Sequence, residues 1–181
     1  LAHYGDDWDL AFMGACYRIV ILMVIPIFGF AQAFQPIAGI NYGAAKYARV
    51  KDSFKIFTVS STLLLLTTWT VAMIFPQTVL TWMLPDAIFE SNDIFNFRMM
   101  ISINPVFALF FMGATLFQAV GNAKFAFTLQ LGRELFLYVP ALLLFPLIWG
   151  ADGIYYAGIP ANIIISFLAV MMVSRQFRKW E

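Results

Sequence analysis

Five long apolar stretches, separated by short polar segments, dominate the residue pattern of this chain. They cover residues 10–41, 56–84, 95–120, 125–149 and 154–173. An α-helix needs roughly 20 apolar residues to cross the hydrocarbon core of a bilayer, and each stretch is long enough. The pattern therefore predicts an all-α integral membrane protein with five transmembrane helices.

Proline and glycine indicate where these helices bend or end. The first stretch is longer than a bilayer requires and contains Pro26 and Pro36. Its helix is therefore expected to be tilted, kinked at a proline, or extended beyond the hydrocarbon. Gly121-Asn122 and Gly150–Gly153 predict turns after the third and fourth stretches, with Asn122 as a helix cap.

The composition supports a membrane protein. Hydrophobic residues make up 62% of the chain, charged residues 12%, and the mean hydropathy is +0.81. Soluble domains are closer to about 45–50% apolar and about 25% charged. The net charge of +1 and the lack of a basic stripe give no indication of a nucleic-acid partner, so the lipid bilayer is the expected surrounding.

The sequence contains no recognisable catalytic or metal-binding set. Cys16 is the single cysteine and excludes an internal disulfide, and His3 is the single histidine, without partner ligands nearby in the sequence. No paired intramembrane carboxylates, no HExxH motif and no phosphate-binding loop occur. We therefore predict no enzyme activity, no metal site and no cofactor.

The basic residues predict the orientation in the membrane. Loop 42–55, the segment after the third stretch and the C-terminal tail carry nearly all the Lys and Arg residues, whereas residues 1–9, 86–93 and 150–153 carry none. The positive-inside rule then places the N-terminus outside and the C-terminus in the cytoplasm. Because no signal sequence precedes this outside start, we expect at least one further helix upstream.

Polar residues on the first stretch suggest a functional face. Arg18, Gln32 and Gln35 lie on one side of a helix with Gly29 and Pro36. Lipid contact would be costly for this side, so it is expected to line a water-filled cavity or to pack on another helix through small residues and amides. Arg18 could instead lie near the outer interface and extend its side chain to water.

Two further polar features occur within later stretches. Asn104 precedes Pro105, and this amide is expected either to satisfy backbone groups that the proline leaves free or to contact the cavity. Arg133 is expected to anchor the helix at the inner interface or to bond another segment. The neighbouring Glu134 is expected near the inner end and not to face Arg133, because adjacent residues point apart on an α-helix.

Several short motifs resemble those of multidrug and toxic compound extrusion (MATE) transporters. Residues 35–44 read QPIAGINYGA and resemble the family signature QPxxGxNYGA at the end of the eighth of twelve helices. Residues 117–121 read FQAVG and resemble the end of the tenth helix. Arg133 with Pro140 resembles the eleventh helix, and residues 150–154 resemble the turn into the twelfth. The matched motif positions are Pro36, Gly39, Asn41, Tyr42, Gly43, Gly121, Arg133 and Pro140.

The resemblance implies that the five helices form most of the C-terminal six-helix lobe of a twelve-helix transporter. The seventh helix and the N-terminal lobe would be the missing partners. Members of this family exchange Na⁺ or H⁺ for small organic cations and drugs, in bacteria across the inner membrane. The acidic residue that some sodium-coupled members carry in the tenth helix is not present between residues 95 and 120, so the coupling ion stays open.

On this basis we expect Arg18, Gln32, Gln35 and Asn104 to line the cavity. Two other functions remain open at this point. One is a lipid-linked oligosaccharide flippase of the same superfamily, which a strongly basic cavity would favour. The other is a non-transporting membrane scaffold, in which packing would close the polar face of the first helix.

Overall fold

A single helix of 37 residues, α1 (Asp7–Gly43), forms the first span in the computed structural model, which describes residues 7–181. His3 lies outside the described residues. At about 1.5 Å per residue, α1 is roughly 55 Å long, which exceeds the hydrocarbon thickness of about 30 Å. Pro26 and Pro36 both lie inside this uninterrupted helix. The first span is therefore one continuous helix, and how its excess length fits a bilayer stays a prediction.

The second span is α2 (Tyr47–Ile74), which begins nine residues before the predicted start at residue 56. The basic residues between these positions mark the membrane boundary, but Lys and Arg are good helix formers and do not end a helix. After α2, the short helix α3 (Pro76–Thr81) starts with a proline, where no intrahelical N–H is needed.

The third span consists of two helices, α4 (Ser91–Ile101) and α5 (Asn104–Ala119). Because Pro105 has no N–H, the carbonyl of Ile101 has no donor from its own helix. The indole Nε1 of Trp69 on α2 donates to this carbonyl at 3.0 Å. The break in the third span is thus satisfied by a hydrogen bond from a neighbouring span.

The fourth span contains α6 (Ala123–Leu131), a π-helix (Gly132–Tyr138) and α7 (Val139–Trp149). Asn122 caps α6, as predicted, by accepting a hydrogen bond from the N–H of Phe125. Gly150 has a φ of +60°, and residues 150–152 form one 3₁₀ turn. The chain reverses there, so the fifth span comprises α8 (Gly153–Tyr156) and α9 (Gly158–Arg178).

Helix α5 occupies the centre of the packing. It contacts α1, α2, α6 and α9, and residues 112–117 are all buried. Two clusters of buried apolar side chains lie along the molecule, one towards the acidic loops and the other towards the basic loops. Phe107 and Phe111 of α5 pack against both clusters.

The two ends of the bundle differ in charge. At one end, Lys51 bonds Glu181 at 3.1 Å, and the ring of Tyr47 stacks on Trp180. At the other end, Asn92 and Asn96 donate hydrogen bonds to Asp152. Within residues 7–181, five helical spans are long and apolar enough to cross a membrane. The helices confirm the predicted all-α membrane fold, and the contacts of Lys51 and Tyr47 bring the first basic loop to the C-terminal tail.

Candidate functional site

A partly open cavity of about 350 Å³ lies between α1, the break in the third span, the π-helix and the start of the fifth span. Most of its lining is aliphatic or aromatic, with a few polar groups among them. The lining residues are Tyr17, Val20, Ile21, Val24, Phe28, Met100, Asn104, Phe107, Arg133, Glu134, Tyr138, Ile154, Tyr155, Gly158 and Asn162. An apolar wall with a few converging polar groups is the usual form of a small-molecule site.

Arg133 is the positive charge of the cavity. Its Nε donates to Oδ1 of Asn162 on α9 at 2.9 Å. Its guanidinium carbon lies 5.4 Å from the ring centre of Phe107 and 5.8 Å from the ring centres of Phe110 and Tyr138. Of the two roles expected for Arg133, bonding another segment is the one that this geometry supports.

Arg133 also contacts its neighbour Glu134, through Nη1 and the carboxylate Oε1. The expectation that these side chains would not face each other is therefore wrong. Both side chains are long, and the surrounding π-helix changes the spacing of an ordinary α-helix. The expected position of Glu134 near the inner end of the span stays a prediction.

The π-helix itself positions the cavity's charged and hydroxyl groups. The N–H of Val139 donates to the carbonyl of Glu134, five residues earlier, which is the spacing of a π-helix. The next residue, Pro140, has no N–H and cannot donate to this turn. In this wider turn, Arg133 and Tyr138 lie on the same side of the helix, and the guanidinium of Arg133 contacts the ring of Tyr138. The hydroxyls of Tyr138 and Tyr17 are hydrogen-bonded, which links the π-helix to α1 at the cavity.

Asn104 also lines the cavity, at the start of α5. Its side chain is 5% exposed, and its Nδ2 has no hydrogen-bond partner within residues 7–181. A buried amide without a partner costs free energy, which favours a ligand or water near it. The structure thus brings Asn104 together with Arg133 and Asn162 around one cavity.

The other three predicted cavity residues occupy a different surface. Arg18, Gln32 and Gln35 are exposed on α1 and do not line this cavity. Tyr17 and Ile21 on the same helix line it instead. That Arg18, Gln32 and Gln35 line the cavity of the complete transporter remains a prediction.

The signature motif builds the basic end of the bundle. Gly39 packs against α5, where an added Cβ would lie 3.3 Å from the carbonyl oxygen of Ala119. Asn41 bonds the carbonyl of Ile37 at 2.8 Å, and Tyr42 packs on Trp180. Gly121 has a φ of +73° and ends the third span. Pro36 is exposed, and Gly43 is the last residue of α1.

Sequence reasoning did not select Tyr17, Glu134, Tyr138 or Asn162 for the site. Two of them carried a signal, because Glu134 is the one acidic residue in the fourth apolar stretch and Asn162 the one amide in residues 154–173. The tyrosines carried none, since aromatic residues are common in membrane helices. The position of Tyr138 depends on the π-helix, which the periodicity did not reveal, and Tyr17 meets it from α1.

Comparison with known proteins gives one consistent result. The family model MatE matches residues 1–142. A structure of MATE in complex with MaL6 superposes with a TM-score of 0.89 at 17% identity, covering 98% of this chain and 40% of that chain. A ligand complex of the MATE multidrug transporter DinF-BH gives 0.82 at 25% identity, covering 96% and 39%.

An inward-facing structure of a multidrug resistance MATE transporter of the MOP superfamily is also similar, with a TM-score of 0.81 at 17% identity over 91% of this chain and 39% of that one. No curated protein matches the chain. The chain spans about 40% of the length of the first of these solved structures. The family match over residues 1–142 and the common five-helix fold lead to one conclusion: this chain belongs to the MATE family of transporters.

Proposed function

We propose that this chain contributes one lobe to a secondary antiporter that exports amphipathic organic cations in exchange for Na⁺ or H⁺. The observation that carries the proposal is the cavity of about 350 Å³. Its lining combines a large aromatic and aliphatic area with an amide and an ion pair. Such a lining suits a ligand that is mostly apolar and carries one charge.

The family supports the rest of the proposal. Transporters of this kind bind their cargo between structural repeats and expose it alternately to the two sides. We propose that this chain pairs with a second lobe and a preceding helix, and that it lies in a bacterial inner membrane with its C-terminus in the cytoplasm. The contact between Lys51 and Glu181 supports this orientation, because it joins the basic loop 42–55 to the basic C-terminal tail.

The charge of the cavity favours the antiporter over the flippase alternative. A lipid-linked oligosaccharide carries phosphate, and a site for it would need several unpaired basic groups. Arg133 is the only basic residue that lines the described cavity, and Glu134 neutralises it. The scaffold alternative expects a closed polar face on α1, whereas Arg18, Gln32 and Gln35 are exposed within the described residues.

Transport by the complete two-lobe protein in proteoliposomes tests the proposal. A rhodamine dye, which is a fluorescent organic cation, would be loaded on the cytoplasmic side, and Na⁺ and H⁺ gradients would be imposed separately. Movement of the rhodamine that follows one gradient supports the antiporter and identifies the ion. Correctly folded protein that moves the rhodamine under neither gradient would contradict the proposal.

A further inference from the structure

The cavity contains one ion pair whose two members are unequally enclosed. The side chain of Arg133 is 16% exposed and that of Glu134 is 50% exposed. These are the only charged residues that line the cavity within residues 7–181. The positive charge is therefore the covered member of the pair, and the negative charge is the open one.

The guanidinium of Arg133 is occupied on several sides. Asn162 accepts from Nε, Glu134 contacts Nη1, and the rings of Phe107, Phe110 and Tyr138 surround the planar group. Cation–π contacts are stronger when the cation is shielded from water, so these rings hold the guanidinium in place. Arg133 is thus held in place and presents little of its charge to a ligand.

The carboxylate of Glu134 retains free bonding capacity. Its Oε1 contacts Arg133, and its Oε2 has no hydrogen-bond partner among residues 7–181. A carboxylate can accept several hydrogen bonds, so a second cationic group can approach without first removing Arg133. The wall beside this half-exposed carboxylate is aliphatic and aromatic, so its attraction for a cation is stronger than between two groups in bulk water.

We propose that the Glu134 carboxylate binds the positively charged group of the exported organic cation. Arg133 serves as the internal counter-ion that stabilises the carboxylate while the cavity is empty. The apolar body of the ligand packs against α1 and the aromatic residues of α5. This inference rests on the proposed function, and it assigns the recognition of ligand charge to the π-helical turn of the fourth span.

Ligand binding to the complete transporter in lipid nanodiscs tests the assignment. The affinity for the cationic rhodamine would be compared with the affinity for Nile red, a neutral dye of similar size. We expect Glu134→Gln to weaken rhodamine binding at least about tenfold, because the charge attraction in an apolar cavity is lost. Nile red binding should change little, because the shape of the cavity is retained.

Asp86→Asn provides the matched control, since Asp86 is an exposed carboxylate in the loop between α3 and α4. It should leave the affinity for both dyes unchanged. Folded Glu134→Gln protein that binds the rhodamine as tightly as the unmodified protein would overturn the assignment of Glu134 alone. If the unmodified protein binds no rhodamine, both the assignment and the proposed function fail.

Glu134→Asp covers the case in which the glutamine variant does not fold. It keeps a negative charge beside Arg133, but its side chain is one methylene group shorter, so the carboxylate reaches less far into the cavity. We expect rhodamine binding to weaken by several-fold while Nile red binding is retained. Equal loss for both dyes, or no loss for the rhodamine, would overturn the assignment.

Discussion

Among single residues, Gly153 has the tightest backbone surroundings in the described chain. A Cβ added there would lie 2.5 Å from the carbonyl carbon and oxygen of Phe145 and 2.8 Å from the nitrogen of Pro146. These atoms are backbone and cannot move aside as a flexible side chain could. The close approach lets α8 pack beside the end of α7 directly after the turn at Gly150.

The substitution Gly153→Ala should therefore lower the free energy of unfolding by about 1–3 kcal/mol, because the turn must open to admit the methyl group. Thermal unfolding of the detergent-solubilised transporter measures this change. Gly14→Ala is the control, since a Cβ at Gly14 meets nothing within 4 Å. A melting temperature for Gly153→Ala equal to that of Gly14→Ala would show that the two segments do not pack this closely.

Among the helices, the third span depends most on a neighbour. Asn104-Pro105 interrupts it, and Trp69 donates its indole N–H to the free carbonyl of Ile101. Ser166 of α9 also donates to the carbonyl of Val106, at 3.0 Å. Two other spans thus stabilise the break at which Asn104 faces the cavity.

Replacing Trp69 by Phe should lower the free energy of unfolding by about 1 kcal/mol, because the hydrogen bond to Ile101 is lost while most of the aromatic packing is kept. Trp82→Phe, at a Trp that is 72% exposed, should have little effect. Chemical or thermal denaturation in the same detergent would compare the two. Equal stability of both variants would contradict a structural role for the Trp69 bond.

The sequence predicted the existence of the helices better than their local detail. Apolar length alone indicates five spans. Asn104-Pro105 indicates a freed carbonyl, because proline lacks an N–H, but the sequence did not show that the helix ends there, since Pro26 and Pro36 lie inside a continuous α1. The donor that replaces it, Trp69, could not be predicted, since it lies 32 residues away. The π-helix and the contact of Arg133 with Glu134 were also missed, because a π-turn leaves no periodic signal over so few residues.

At the scale of the whole molecule, charge separates the two ends of the bundle. The C-terminal segment meets the first loop through the Lys51–Glu181 bond and the Tyr47–Trp180 stack. The opposite end holds Asn92, Asn96 and Asp152 in one hydrogen-bonded group. We propose from the positive-inside rule that the Lys51 end faces the cytoplasm.

Labelling of introduced cysteines in intact cells tests this orientation. Ile88→Cys lies in the acidic loop, where Ile88 is 89% exposed, and Ala44→Cys lies in the exposed loop at the basic end. The native Cys16 is buried and should contribute little background. A membrane-impermeant maleimide should label Ile88→Cys in intact cells and Ala44→Cys only after lysis. The reverse pattern would invert the proposed topology.

We propose that the cavity beside the π-helix holds the exported compound, and filling that cavity tests this most directly. Ile21 lines the cavity, whereas Ile25, one turn farther along α1 and similarly exposed, does not. The measurement is the initial rate of gradient-driven rhodamine transport by Ile21→Trp and Ile25→Trp in proteoliposomes. We predict a loss of about tenfold, or about 1.4 kcal/mol, for Ile21→Trp and little change for Ile25→Trp. Equal transport rates for the two folded variants would contradict the claim.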